Sequence, residues 1–139
     1  MSSTVWRKPS GPICVQQTEG AALHPLLNQK AIDAVFHKGE NPAIDSYSAF
    51  SITDIVRKRR WTRGYVTTIT ELIVLGLATD YCVKFTVLDA LQLGYTVSVI
   101  TDGCRGVNIQ PQDSAQAFMD MAAEGATLYT LADWLETQA

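Results

Sequence analysis

The chain has 139 residues, 47% of them hydrophobic, and 11 Lys and Arg against 14 Asp and Glu give a net charge of −3. That length fits one domain with room for a core, and the mild acidity argues against nucleic acid as the main partner. No run of about 18 apolar residues offers a membrane span, the region after Met1 lacks the apolar centre of a secretory signal, and three Cys without paired or metal-like spacing point to a reduced, cytoplasmic setting.

From about residue 30 the pattern alternates between short apolar runs and helical stretches. Ala34–His37 reads as a short strand, and 41–48 as a loop broken by Pro42. Leu72–Ala78 reads as a strand whose continuous apolar run suits burial on both faces. Thr79 and Asp80 can cap a helix from Tyr81 to Leu93, which Gly94 can end. Thr96–Ile100 reads as a strand, with Asp102 beyond its end as a turn residue. A helix over Gln112–Glu124 enters after Pro111 and closes at Gly125. Ala126–Thr130 is a strand, and Leu131–Glu136 a last helix with Thr130 or Asp133 near its start. This alternation predicts an α/β fold, a parallel sheet with crossover helices on both faces. Function in such sheets gathers beyond the carboxyl ends of strands. Lys38, Cys82 and Asp102 each follow a predicted strand end, so the three can converge.

Cys82 carries the most chemical promise. It is expected in the first turn of a helix just beyond a strand, at the positive end of the helix dipole, a setting that favours thiolate. Backbone N–H groups there also point at whatever the sulfur attacks, which is the material of an oxyanion hole. The plainer reading is a small apolar Cys packed under a helix.

Residues Gly76-Leu-Ala-Thr-Asp-Tyr-Cys-Val-Lys-Phe-Thr86 resemble the nucleophile segment of nicotinamidase/pyrazinamidase, a branch of the isochorismatase-like cysteine hydrolases. Val35-Phe-His-Lys-Gly39 resembles the segment of that family's catalytic lysine, Asp45-Ser-Tyr-Ser-Ala-Phe50 the loop after it, and Thr101-Asp-Gly-Cys-Arg-Gly106 the turn after the next strand. The resemblance covers Cys14–Phe50 and Ile69–Ala139. It implies that Cys82 attacks a carboxamide carbon and that the thioacyl enzyme is cleaved by water, giving nicotinic acid and ammonia. It implies Lys38 as the lysine assisting the thiolate, and the N–H groups of Ala78 and Cys82 as the oxyanion hole, with a cis peptide at Leu77–Ala78. Tyr47 then matches an aromatic that contacts the substrate ring. The plain alternatives are an ordinary solvated Lys38 and a Tyr47 half buried on the core.

The resemblance also implies what is not found. The family's proton-carrying aspartate, first two strands and the Asp and two His of its divalent metal site (zinc, iron or manganese) have no match here. Ile13 stands where the family pattern Trp-Pro-Asp-His-Cys-Val-Gln has its fourth ligand. No metal ligand is assigned and no metal is expected to bind this chain. His24 and His37 read as structural, and Cys14 and Cys104 lack zinc-site spacing. The expected fold is one isochorismatase-like domain over 1–139, Rossmann-like and three-layered but incomplete because the first strands are missing.

Two stretches break the resemblance. Ile55-Val-Arg-Lys-Arg-Arg-Trp-Thr-Arg63 concentrates basic residues in an acidic chain. Back-translating 51–68 and reading two bases later can give a polar loop and then Thr/Ser-x-Leu-x-x-Trp-Leu, as nicotinamidases have. The same shift over 1–13 can give Trp-Pro-Asp running into Cys14. The encoding DNA is therefore expected to carry compensating frameshifts near codons 13–14, 50–51 and 68–69, and an upstream frame encoding the missing strands. A genomic sequence without that frame removes this reading. Three functions compete: a nicotinamidase-type amidohydrolase impaired in this chain, an inactive remnant or binding module of the same fold, and a nucleic-acid binder using Arg57–Arg63. The resemblance favours the first, with a small carboxamide as substrate, no nucleic-acid or membrane partner, and a homo-oligomer left open.

Overall fold

The structure is a computed structural model, and it describes residues 7–8, 11–12, 15–39, 43, 46–50 and 69–139. The expectations for Cys14, for most of the 41–48 loop, for 51–68 with its basic run and for the shifted frames lie outside these. The chain divides into two compact units, Met1–Asp45 and Ser46–Ala139.

In the first unit β1 (Arg7–Lys8) pairs antiparallel with β2 (Gly11–Pro12). Two short 3-10 turns follow at Glu19–Ala21 and Gln29–Ala31. The strand expected over Ala34–His37 is not formed: 34–39 adopt no regular element, and Val35 and Phe36 are exposed. Apolar residues alone do not make a strand; a ladder does.

The second unit is built on a three-stranded parallel sheet in the order β3 (Glu71–Leu77), β4 (Thr96–Arg105), β5 (Thr127–Tyr129). Helix α1 (Lys84–Gln92) connects β3 to β4, α2 (Asp113–Ala123) connects β4 to β5, and α3 (Leu131–Thr137) follows β5. The core joins Val87 and Ala90 of α1, Ala117 and Met121 of α2, and Val97 and Val99 of β4. Ser98 and Ile100 alternate to the other side of β4 and are buried too, and α3 packs on β4 and β5.

Both long helices close as their glycines predict. Gly94 has φ +90 and Gly125 φ +113. The Tyr95 N–H reaches Ala90 O at 3.1 Å with Gly94 N–H on Leu91 O, and the Ala126 N–H reaches Met121 O at 3.0 Å with Gly125 N–H on Ala122 O. Each pair is a Schellman closure, and a Cβ at that φ is strained. At α3 the Thr130 hydroxyl accepts the Asp133 N–H at 3.2 Å, as expected of a cap.

Two strands depart from expectation. β3 is not buried on both faces: Leu72 and Val74 pack on the core, whereas Ile73, Leu75 and Leu77 are exposed. Among the described residues β3 is an edge strand, with the core on one side only. β4 runs past Ile100 through the expected turn, because pairing with β3 resumes beyond a bulge, Gly76 opposite Cys104 and Leu77 opposite Arg105. Asp102 is accordingly a strand residue, and its carboxylate accepts the Leu131 N–H at 2.9 Å at the start of α3.

Candidate active site

β3 ends at Leu77, and the Leu77–Ala78 peptide is cis, where the resemblance puts it. The next five residues, Thr79–Val83, wind as one π turn before α1 begins at Lys84. Such turns are rare and recur at functional sites. The Ala78 carbonyl accepts both the Tyr81 N–H at 3.1 Å and the Val83 N–H at 3.0 Å, which folds the chain around Cys82. Cys82 is half buried. The strand-turn-helix setting is thus present, with a π turn in place of the expected first α turn.

Neither Thr79 nor Asp80 caps this helix. Ala78 occupies the cap position without a side-chain bond, Thr79 is buried, and Asp80 reaches instead to Val107 and Asn108, beyond β4. A carboxylate that finds two amides elsewhere is better satisfied than one competing for its own turn.

Tyr47 is brought to this turn. The Ala49 N–H donates to Thr86 Oγ1 at 3.0 Å and Phe50 stacks on Tyr95, so 46–50 is docked along α1. The Tyr47 ring then lies 5.6 Å from that of Tyr81, the neighbour of Cys82, and 5.6 Å from that of Phe85. Tyr81 and Phe85 escaped sequence reasoning; their i, i+4 spacing on one helical face was the available signal. Lys38 is exposed and belongs to the first unit, Met1–Asp45, and the other candidate residues belong to the second.

Cys104 contrasts with Cys82. It is buried, and its thiol donates to Ile100 O at 3.3 Å. Burial pushes its pKa up, outweighing a hydrogen bond from the Gly76 backbone and the Arg105 charge. Among the described residues no three His, Cys, Asp or Glu side chains gather to hold a metal. His24 Nδ1 accepts the Leu26 N–H at 3.2 Å. The described donor set does not fit a divalent metal site.

A parallel sheet with connecting helices and a cysteine turn beyond its first strand defines the class. The chain belongs to the isochorismatase family, whose domain matches residues 2–133. It is similar to the nicotinamidase of Escherichia coli, with 73% identity over 130 residues, covering 90% of this chain and 59% of that protein. A solved nicotinamidase/pyrazinamidase from Acinetobacter baumanii shares 32% identity with a TM-score of 0.73, covering 89% of this chain and 60% of that one. The pyrazinamidase of Pyrococcus horikoshii, solved in complex with zinc, shares 30% identity with a TM-score of 0.63, covering 91% of this chain and 68% of that one. The chain spans between half and three-fifths of the length of the first curated relatives it matches.

Proposed function

We propose that this chain is a nicotinamidase-type amidohydrolase by descent, acting on nicotinamide or pyrazinamide in NAD salvage in the cytoplasm. The observation that carries the reading is 73% identity to the Escherichia coli nicotinamidase across 90% of the chain. The thiolate of Cys82 adds to the carboxamide carbon, and the carbonyl oxygen takes the negative charge. The N–H groups of Ala78 and Cys82 receive that oxygen, and the π turn beyond a strand end supports this role. Collapse with proton transfer to nitrogen releases ammonia and leaves a thioester. Water cleaves the thioester to the acid and restores the thiol. Lys38 assists the thiolate, and Tyr47, beside Tyr81, contacts the substrate ring.

The 139 residues act as one partial domain, in line with a family match over 2–133. They bind no metal of their own, and their substrate is a small carboxamide rather than nucleic acid or membrane. No described helix is long and apolar enough to cross a membrane. The exposed Ile73, Leu75 and Leu77 support self-association. Assayed alone, this chain is slow, because no residue in it matches the family's proton carrier. Losing a general acid/base costs about 10²–10⁴-fold. The test compares ammonia release from nicotinamide by this chain and by a restored protein. The restored protein carries the Escherichia coli relative's sequence ahead of residue 14 and over 51–68. The restored protein is expected to be faster by that factor, and zinc, manganese or iron should not close the gap. Equal rates refute the account of proton transfer.

A further inference from the structure

Asp80 stands two residues before Cys82, and both of its carboxylate oxygens are engaged across the sheet end. Oδ1 accepts the Val107 N–H at 2.9 Å and Oδ2 accepts the Asn108 N–H at 2.8 Å. Bonds from two successive amides fix the plane of a carboxylate as well as its place, and the ionised acceptor strengthens each.

The loop that receives Asp80 is itself held. Asn108 has φ 52 and its Oδ1 accepts the Ser114 N–H at 2.9 Å in the first turn of α2. The Asp113 carboxylate accepts the Gln110 N–H at 2.8 Å. Gly106 permits the close approach: a Cβ there would overlap Ser114 Oγ and stand 3.2 Å from Asp80 Oδ1. Ser114 Oγ is buried and finds no hydrogen-bond partner among the described residues. A buried hydroxyl left unpaired carries a desolvation cost. The close packing of this loop is kept despite that cost.

We propose that Asp80 is a positioning residue, tying the Cys82 turn to the loop at 106–108 and so holding the oxyanion-hole N–H groups of the proposed amidase, those of Ala78 and Cys82, in one orientation. The idea rests on Cys82 being the nucleophile of the proposed amidase. Its test reads alkylation of the sulfur by iodoacetamide, in which an S–C bond forms and iodide leaves. A failure of nicotinamide turnover therefore does not bear on it.

Asp80→Ala removes a negative charge and a tether together, and the two act in opposite directions. Loss of the charge alone lowers the pH at which Cys82 labelling reaches half its maximal rate. Loss of oriented N–H groups raises it. The midpoint is expected to rise by about half a pH unit, the size of a helix-terminus effect. Asp80→Asn keeps one acceptor and should give a smaller rise, with Cys104 labelling unchanged in both variants. A midpoint that stays or falls, or Cys104 labelling that rises in step, overturns the proposal. Amide exchange on the unaltered chain gives a second reading that needs no variant. Val107 and Asn108 should exchange together with Tyr81 and Val83, as one opening unit. Exchange at Val107 and Asn108 about tenfold or more faster than at Tyr81 and Val83 overturns it equally.

Discussion

Cys82 and Cys104 sit at the same end of one sheet and have opposite surroundings. Cys104 lies within β4, opposite Gly76 of β3, and is 4% exposed with its thiol given to Ile100 O. Burial favours its neutral form, as it does for any group that would otherwise carry charge. Cys82 lies one short step beyond β3, in a π turn, half buried and next in sequence to Tyr81, whose ring meets that of Tyr47. A strand interior hides a thiol among backbone groups already paired to each other. A turn after a strand holds its thiol outside the ladder, here with the Tyr81 and Val83 N–H groups bonded within the turn to Ala78 O. Backbone setting, rather than residue type, separates the reactive candidate from the inert one.

Alkylation with peptide mapping separates the two thiols most widely. In the native chain Cys82 should react with iodoacetamide about 100-fold or more faster than Cys104, since alkylation follows thiolate fraction and access. In urea the two rates should converge. Equal rates in the native chain, with circular dichroism showing a folded protein, would leave the Cys82 turn without its assigned chemistry.

A smaller effect lies on the Cys82 side alone. Lys84 follows the π turn and donates to Asp120 of α2 at 2.6 Å. That bond, then one from Gln116, holds the Asp120 carboxyl below the ordinary carboxylate range. A carboxyl lowered by folding contributes stability that is present above its unfolded pKa and lost as pH falls through its folded value. Asp120→Asn should therefore lower Tm slightly at pH 7, and the difference should vanish in acid and shrink in high salt, as for exposed pairs. Melting curves at pH 7 and below pH 3 check this. A difference that persists in acid assigns Asp120 some other role.

Local signals made much of this legible. The apolar run 72–77, the closing glycines Gly94 and Gly125 and the Thr130 cap act over a few residues, and each is found where the pattern puts it. Long-range pairing was not legible. The Thr-Asp-Gly sequence at 101–103 reads as a turn, yet the ladder to Gly76 and Leu77 keeps it extended. Asp80 reads as a cap, yet its partners lie beyond the next strand. Ala34–His37 has strand-like residues and forms no strand. The family emerged from the Cys82, Lys38 and Tyr47 segments, not from periodicity, and the cis peptide at Leu77–Ala78 followed from that resemblance alone.

In the proposed amidase Cys82 forms the acyl bond. The restored protein should be mixed with nicotinamide, quenched in acid and mapped by mass spectrometry, beside its Cys82→Ala and Cys104→Ala variants. A nicotinoyl thioester on the peptide holding Cys82 is expected, with ammonia release abolished in Cys82→Ala and largely kept in Cys104→Ala. Undiminished ammonia release by Cys82→Ala would contradict the account.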